Sequence, residues 1–166
     1  WRVPGFAPRR VLGRAGGLDS ARLRWFRAEA ARAPASSVEA VTLGRLAEDL
    51  HMSKSGVLRH FPTKEDLQLH ALQAAIDVFT HEVWEPSLTA EPGLPRLREI
   101  CDAWISYLER GVFPGGCFLT AASCEFDGRP GLVHDAIRDA LGGWQRVLGS
   151  QVRRAIDAGE LPADAD

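Results

Sequence analysis

From Val41 onward, apolar residues recur at steps of three and four, the spacing of one face of an α-helix, and no stretch keeps the two-residue alternation of a strand. The pattern predicts an all-α chain. Thr42 is a good N-cap for a short helix whose Leu43, Leu46, Ala47 and Leu50 share a face. That helix breaks near His51. Ser53 can cap a second short helix through Lys54, Gly56, Val57, Leu58 and His60, closed by Phe61 and Pro62. Thr63 caps a third, with Glu65 and Asp66 in its first turn, where carboxylates favour the positive end of the helix dipole. Leu69, Leu72, Ile76, Phe79 and Val83 carry this helix on as a stripe that must be buried.

Glu91, Pro92 and Gly93 interrupt the pattern, and the next helix is expected to bury Leu97, Cys101, Trp104 and Leu108 before ending over residues 111–116. Cys117 to Phe126 is short and almost wholly apolar, which predicts a buried helix. After a turn at Asp127, Gly128 and Arg129, Pro130 is placed to start a last helix carrying Val133, Ile137, Leu141, Trp144, Leu148, Val152 and Ile156. Gly142 and Gly143 inside it cost roughly 1 kcal/mol each relative to alanine, so they mark close helix contact or a bend. Upstream, residues 1–18 read as a flexible basic arm with Pro4 and Pro8. A short helix is expected over residues 21–32, with Leu23, Phe26 and Ala30 on one face; Pro34 stops it, and residues 35–38 form a linker.

A chain of 166 residues with 45% hydrophobic content can bury one ordinary core. No apolar run approaches the roughly 20 residues of a membrane helix. Three cysteines, at 101, 117 and 124, form neither a C-x-x-C pair nor a complete disulfide framework, which suits a reducing, cytoplasmic setting. The formal net charge of −2 is unevenly spread. Residues 1–32 hold eight arginines against two carboxylates, a net of +6, whereas residues 71–166 hold eight arginines and fifteen carboxylates, a net of −7. Polyanion binding therefore belongs to the front half. Both lysines of the chain, Lys54 and Lys64, lie there, ten positions apart.

Two short helices joined by a tight turn, the second opening on small polar and basic residues, describe a helix-turn-helix. A helix entering a major groove about 12 Å wide needs small, hydrogen-bonding residues near its start, and Ser53, Lys54, Ser55 and Gly56 supply them. Arg59 and His60 extend the polar face, while Val57 and Phe61 can anchor the helix against Leu46, Ala47 and Leu50. The first backbone N–H groups of the Thr63 helix, with Lys64 beside them, offer a phosphate contact.

The run VTLGRLAEDLHMSKSGVLRHFPTKEDL, from Val41 to Leu67, resembles the DNA-binding domain of the TetR family of bacterial transcriptional regulators, with Thr42, Leu46, Ala47, Met52, Ser53, Phe61, Lys64 and Leu67 at the family's spacing. GGCFLTAASCEFD from Gly115 and the helix from Pro130 look like that family's ligand-binding and dimerisation region. The resemblance implies three segments: a poorly matching basic stretch over 1–37, a helix-turn-helix domain over 38–68, and a helical ligand-binding and dimerisation bundle over 69–166, incomplete at its C-terminus. It implies a homodimer on a palindromic operator in double-stranded DNA, acting as a repressor released by a small-molecule effector, cytoplasmic and associated with the nucleoid. Thr42, Ser53, Lys54, Ser55, Gly56, Leu58, Arg59, His60 and Lys64 would contact DNA. No catalysis and no cofactor are expected.

Departures from the family pattern sharpen the expectations. His51 occupies a turn position where the family usually has glycine in the left-handed region, so the turn should be strained. Leu58 replaces a frequent tyrosine and so removes one phosphate contact. The arginine-rich start, cut by Pro34, suggests either that Leu23, Trp25 and Phe26 cover the motif's core or that residues 1–37 come from a wrong start or a shifted frame. The alternative function is a helical small-molecule-binding protein that has lost competent DNA binding.

His51, His60, His70 and His81 lie on different elements without matched carboxylate or cysteine spacing, so no metal site is expected. Cys117 near His134 and Asp135 could be imagined as a nucleophile with a base, but a structural thiol is the simpler reading. Phe79, Trp84, Trp104, Tyr107, Phe118, Phe126 and Trp144 read mostly as core. Among them Trp104, Tyr107 and Phe118 are the candidates for lining an effector cavity.

Overall fold

A computed structural model describes residues 38, 42–49, 51, 53–59, 61–113 and 115–165. The basic arm, the helix expected over 21–32, Leu50, Met52 and His60 lie outside the described residues, as does the side chain of Leu43. Every regular element among the described residues is helical: α1 (Leu43–Asp49), α2 (Lys54–Leu58), α3 (Lys64–Phe79), a π-helical turn (Thr80–Trp84), α4 (Glu85–Ser87), α5 (Leu94–Glu109), α6 (Phe118–Phe126) and α7 (Leu132–Asp157).

The polar residues at the helix starts do the work expected of them. Ser53 Oγ accepts the Gly56 N–H at 3.1 Å and caps α2. Thr63 Oγ1 accepts the Asp66 N–H at 3.0 Å, and the Asp66 carboxylate accepts the Thr63 N–H at 3.2 Å, a reciprocal capping box that begins α3. From Lys64 the chain stays helical as far as Ser87, through the π turn. The wider turn has a local reason. Pro86 brings no N–H and its ring crowds the carbonyl four residues back, and just before it the Glu85 N–H reaches the Thr80 carbonyl, five residues back. Thr80 Oγ1 also donates to the Ile76 carbonyl at 2.8 Å.

Two cores share α3. Leu67, Ala71 and Ala74 face Leu46 and Ala47 of α1, Val57 of α2 and Phe61. The expected stripe Leu69, Leu72, Ile76, Phe79 and Val83 faces a larger core built with α5, α6 and α7. Val38 belongs to this larger core and is fully buried.

Two expected faces need correction. In α5, Cys101 is exposed and Leu108 is 44% exposed, while Ile100 and Tyr107 are buried, with Ala103 and Trp104 packed beside them. A Tyr107 hydroxyl that finds a partner makes that residue the better one to bury, so the helix turns its aromatic edge inward. In α7 the buried positions are Val133, Ala136, Ile137, Ala140, Gly143, Trp144, Val147, Gln151 and Ala155. Leu141, Leu148, Val152 and Ile156 are only partly covered. Steps of mostly four residues overshoot a 3.6-residue turn, so the expected stripe walks around the helix; the small residues that hold the true seam are invisible to a search for large apolar ones. Leu132–Asp157 runs as one helix through Gly142 and Gly143, of which Gly143 is buried. It begins two residues after Pro130. The α6 helix buries Phe118, Leu119, Ala122 and Phe126 but exposes Thr120 and Cys124, so it is amphipathic rather than wholly buried.

The start of α5 is capped from across the fold. The Gly93 N–H donates to Gln151 Oε1 at 3.3 Å and the Leu94 N–H to Glu160 Oε2 at 2.9 Å. Gly93 has φ 114°, and a β-carbon there would meet Glu160 Oε2 at 2.8 Å. Only glycine fits both conditions.

Candidate nucleic-acid interface

The pair α1 and α2 stands on the small core. Val57 (1% exposed) and Phe61 (3%) hold the inner side of α2 against Leu46 and Ala47. The Phe61 N–H donates to the Val57 carbonyl at 2.9 Å, and the Phe61 ring meets His70 edge-on at 5.1 Å. His70 is fixed in turn by a 2.7 Å contact between its Nδ1 and the Asp66 carbonyl. The turn between α1 and α2 carries His51 at φ 51°, in the left-handed region, with its N–H donating to the Glu48 carbonyl at 3.1 Å.

With the inner side anchored, the other side of α2 faces solvent. Ser53, Lys54, Ser55, Leu58 and Arg59 are exposed and Gly56 is half-buried. Ser53 Oγ and Ser55 Oγ lie 3.0 Å apart. A β-carbon at Gly44 would touch Lys54 Cε at 3.9 Å, so the lysine stem runs back along α1. Thr42 and Lys64 are exposed at the starts of α1 and α3. Of the residues expected at DNA, the structure thus brings eight to the surface around α2 in whole or part; the ninth, His60, is outside the described residues.

The residues expected at an effector join a second assembly. Phe79 lies edge-on to Trp104 (5.5 Å), Tyr107 (5.7 Å) and Trp144 (5.1 Å). Trp144 meets Trp84 at 6.4 Å, and Tyr107 leads through Phe113 (6.1 Å) to Phe118, 5.4 Å further on. Trp104, Tyr107 and Phe118 therefore belong to one aromatic cluster. Burial, the Cys117 thiol beside it and Glu82 raise the Tyr107 phenol above its ordinary pKa, against a smaller lowering by the Phe118 N–H that its oxygen accepts. Among the described residues, the buried Trp104 Nε1 meets no hydrogen-bond acceptor. Phe113, which completes the cluster, was hidden in a glycine-rich stretch that reads only as a turn.

A second link escapes sequence reasoning. The Val38 N–H donates to Glu125 Oε2 of α6 at 2.8 Å, and the Val38 carbonyl accepts from Gln68 Nε2 of α3 at 3.5 Å. Val38 is thereby held between α3 and the helix that carries Phe118.

Residues 93–166 match the family described as tetracyclin repressor-like, C-terminal domain. The matched stretch holds α5, α6 and α7, so this part of the chain is similar to that domain. No curated protein matches the chain. Among the described residues, no helix is long and apolar enough to cross a membrane.

Proposed function

We propose that this protein is a DNA-binding transcriptional regulator of the TetR kind, a cytoplasmic repressor that binds a palindromic operator as a dimer and is released by a small-molecule effector, with no catalytic activity. The observation that carries the reading is the two-sided α2. Val57 is sunk in a private core while Ser53, Lys54, Ser55 and Arg59 stand in solvent, as a helix must be if its outer edge is to enter a major groove. The C-terminal family match supports the regulatory half. The aromatic cluster is the proposed effector seat, lined by Tyr107, Phe118 and Trp104, whose indole N–H has no partner among the described residues.

Titrating labelled promoter DNA at several salt concentrations tests this. A regulator shows affinity that falls steeply with salt and prefers one palindrome. Lys54→Ala lowers specific binding, whereas Lys64→Ala weakens all sequences about equally. Weak binding that ignores sequence would instead support a small-molecule-binding protein without competent DNA recognition.

A further inference from the structure

Building on the DNA-binding reading, we propose that Leu58 reads the 5-methyl group of a thymine, so that each operator half-site carries a thymine under the middle of α2. Residues 54, 55, 58 and 59 lie on one side of α2 by helical spacing, and all four are exposed. Lys54, Ser55 and Arg59 can hydrogen-bond. Leu58, one turn beyond Lys54, cannot, yet it is 44% exposed. Its neighbour Val57 already anchors the helix, so Leu58 is not needed to hold α2 in place. It faces whatever the polar edge faces.

Chemistry narrows the choice. Against phosphate, an isobutyl group has nothing to offer. Against most base edges it would cover donors and acceptors without replacing their hydrogen bonds, which is unfavourable. The thymine methyl is the apolar group that standard base pairs present in the major groove. A leucine in the centre of a hydrogen-bonding face is therefore matched by a thymine, with Lys54, Ser55 and Arg59 reading or positioning around it.

The test begins by selecting an operator from randomised duplexes with the whole chain. Each thymine is then replaced in turn by deoxyuridine, which removes the methyl and leaves base pairing and the hydrogen-bonding edge intact. One thymine per half-site should prove sensitive: roughly fourfold weaker binding on single replacement and roughly fifteenfold on replacement in both half-sites, the worth of one buried carbon group at each. Leu58→Ala, which keeps the wild-type melting temperature because the side chain is exposed, should bind the thymine operator more weakly and ignore the replacement. A selected operator with no methyl-sensitive thymine, or a Leu58→Ala variant that remains equally sensitive at the same position, overturns the assignment. Failure to enrich any sequence overturns the DNA-binding reading itself, an outcome distinct from a specific operator indifferent to methyls.

Discussion

His51 adopts φ 51°, and no other non-glycine described has a positive φ. A β-carbon in this region crowds the following carbonyl at a cost of about 1 kcal/mol, part of which glycine's freedom in the unfolded chain offsets. His51→Gly should therefore raise the melting temperature by about 2–4 °C at most and leave operator affinity unchanged; a lower melting temperature by calorimetry would contradict the strain. Tyr107 offers a second test, because it is the chain's one tyrosine and its phenolate absorbance reports a single site. Its pKa is raised in the fold, chiefly by burial, above the unfolded value of 10.0. The stability this gives is complete below pH 10 and is lost as pH climbs from there toward the folded value. Phenolate absorbance should rise only above pH 10, together with loss of helical circular dichroism. Phenolate appearing at pH 10 in an intact fold would be the contrary result.

At the level of elements, local signals and crossed ones divide cleanly. Ser53, Thr63 and the glycine-like turn at His51 carry their instructions within three or four residues, so the starts of α2 and α3 and the left-handed turn could be read directly. The exposed edge of α2 followed from the same spacing. The inward face of α5 could not, since two apolar stripes overlap there and the choice between Leu108 and Tyr107 depends on an aromatic cluster and a Phe118 N–H from elsewhere. The seam of α7 was obscured because alanine and glycine, not leucine, form much of it. The cap of α5 likewise comes from Gln151 and Glu160, and Gly93 makes room for it. Gly93→Ala places a methyl group against the Glu160 carboxylate and forces a left-handed φ on alanine, so it should destabilise by about 1–3 kcal/mol. Chemical denaturation measures this; an unchanged midpoint would show that the trans cap contributes little.

Across the whole molecule, α3 is the shared member, with Leu67, Ala71 and Ala74 in the small core and Leu69, Leu72, Ile76 and Phe79 in the large one. Val38 adds a second connection through Glu125 and Gln68. No pattern in the sequence announces a contact spanning 87 positions. Its strength is measurable. Glu125→Ala leaves the buried Val38 N–H without this acceptor and should lower stability by about 1–3 kcal/mol, while Glu125→Gln, whose amide oxygen still accepts, should restore part of it; equal stability of all three proteins would deny the clasp any weight. Charge works at this scale too. The excess of carboxylates over residues 71–166 disfavours a phosphate backbone, in keeping with the proposed approach of DNA at the α1–α2 end.

The outer edge of α2 can be placed directly by putting a photo-crosslinking residue at Ser55, which is exposed, and irradiating the protein with its selected operator. Crosslinks are expected to bases at two symmetry-related positions, separated by one helical repeat of DNA or a multiple of it, and they should disappear at high salt. Crosslinks confined to protein, or scattered along the duplex without regard to sequence, would contradict that placement.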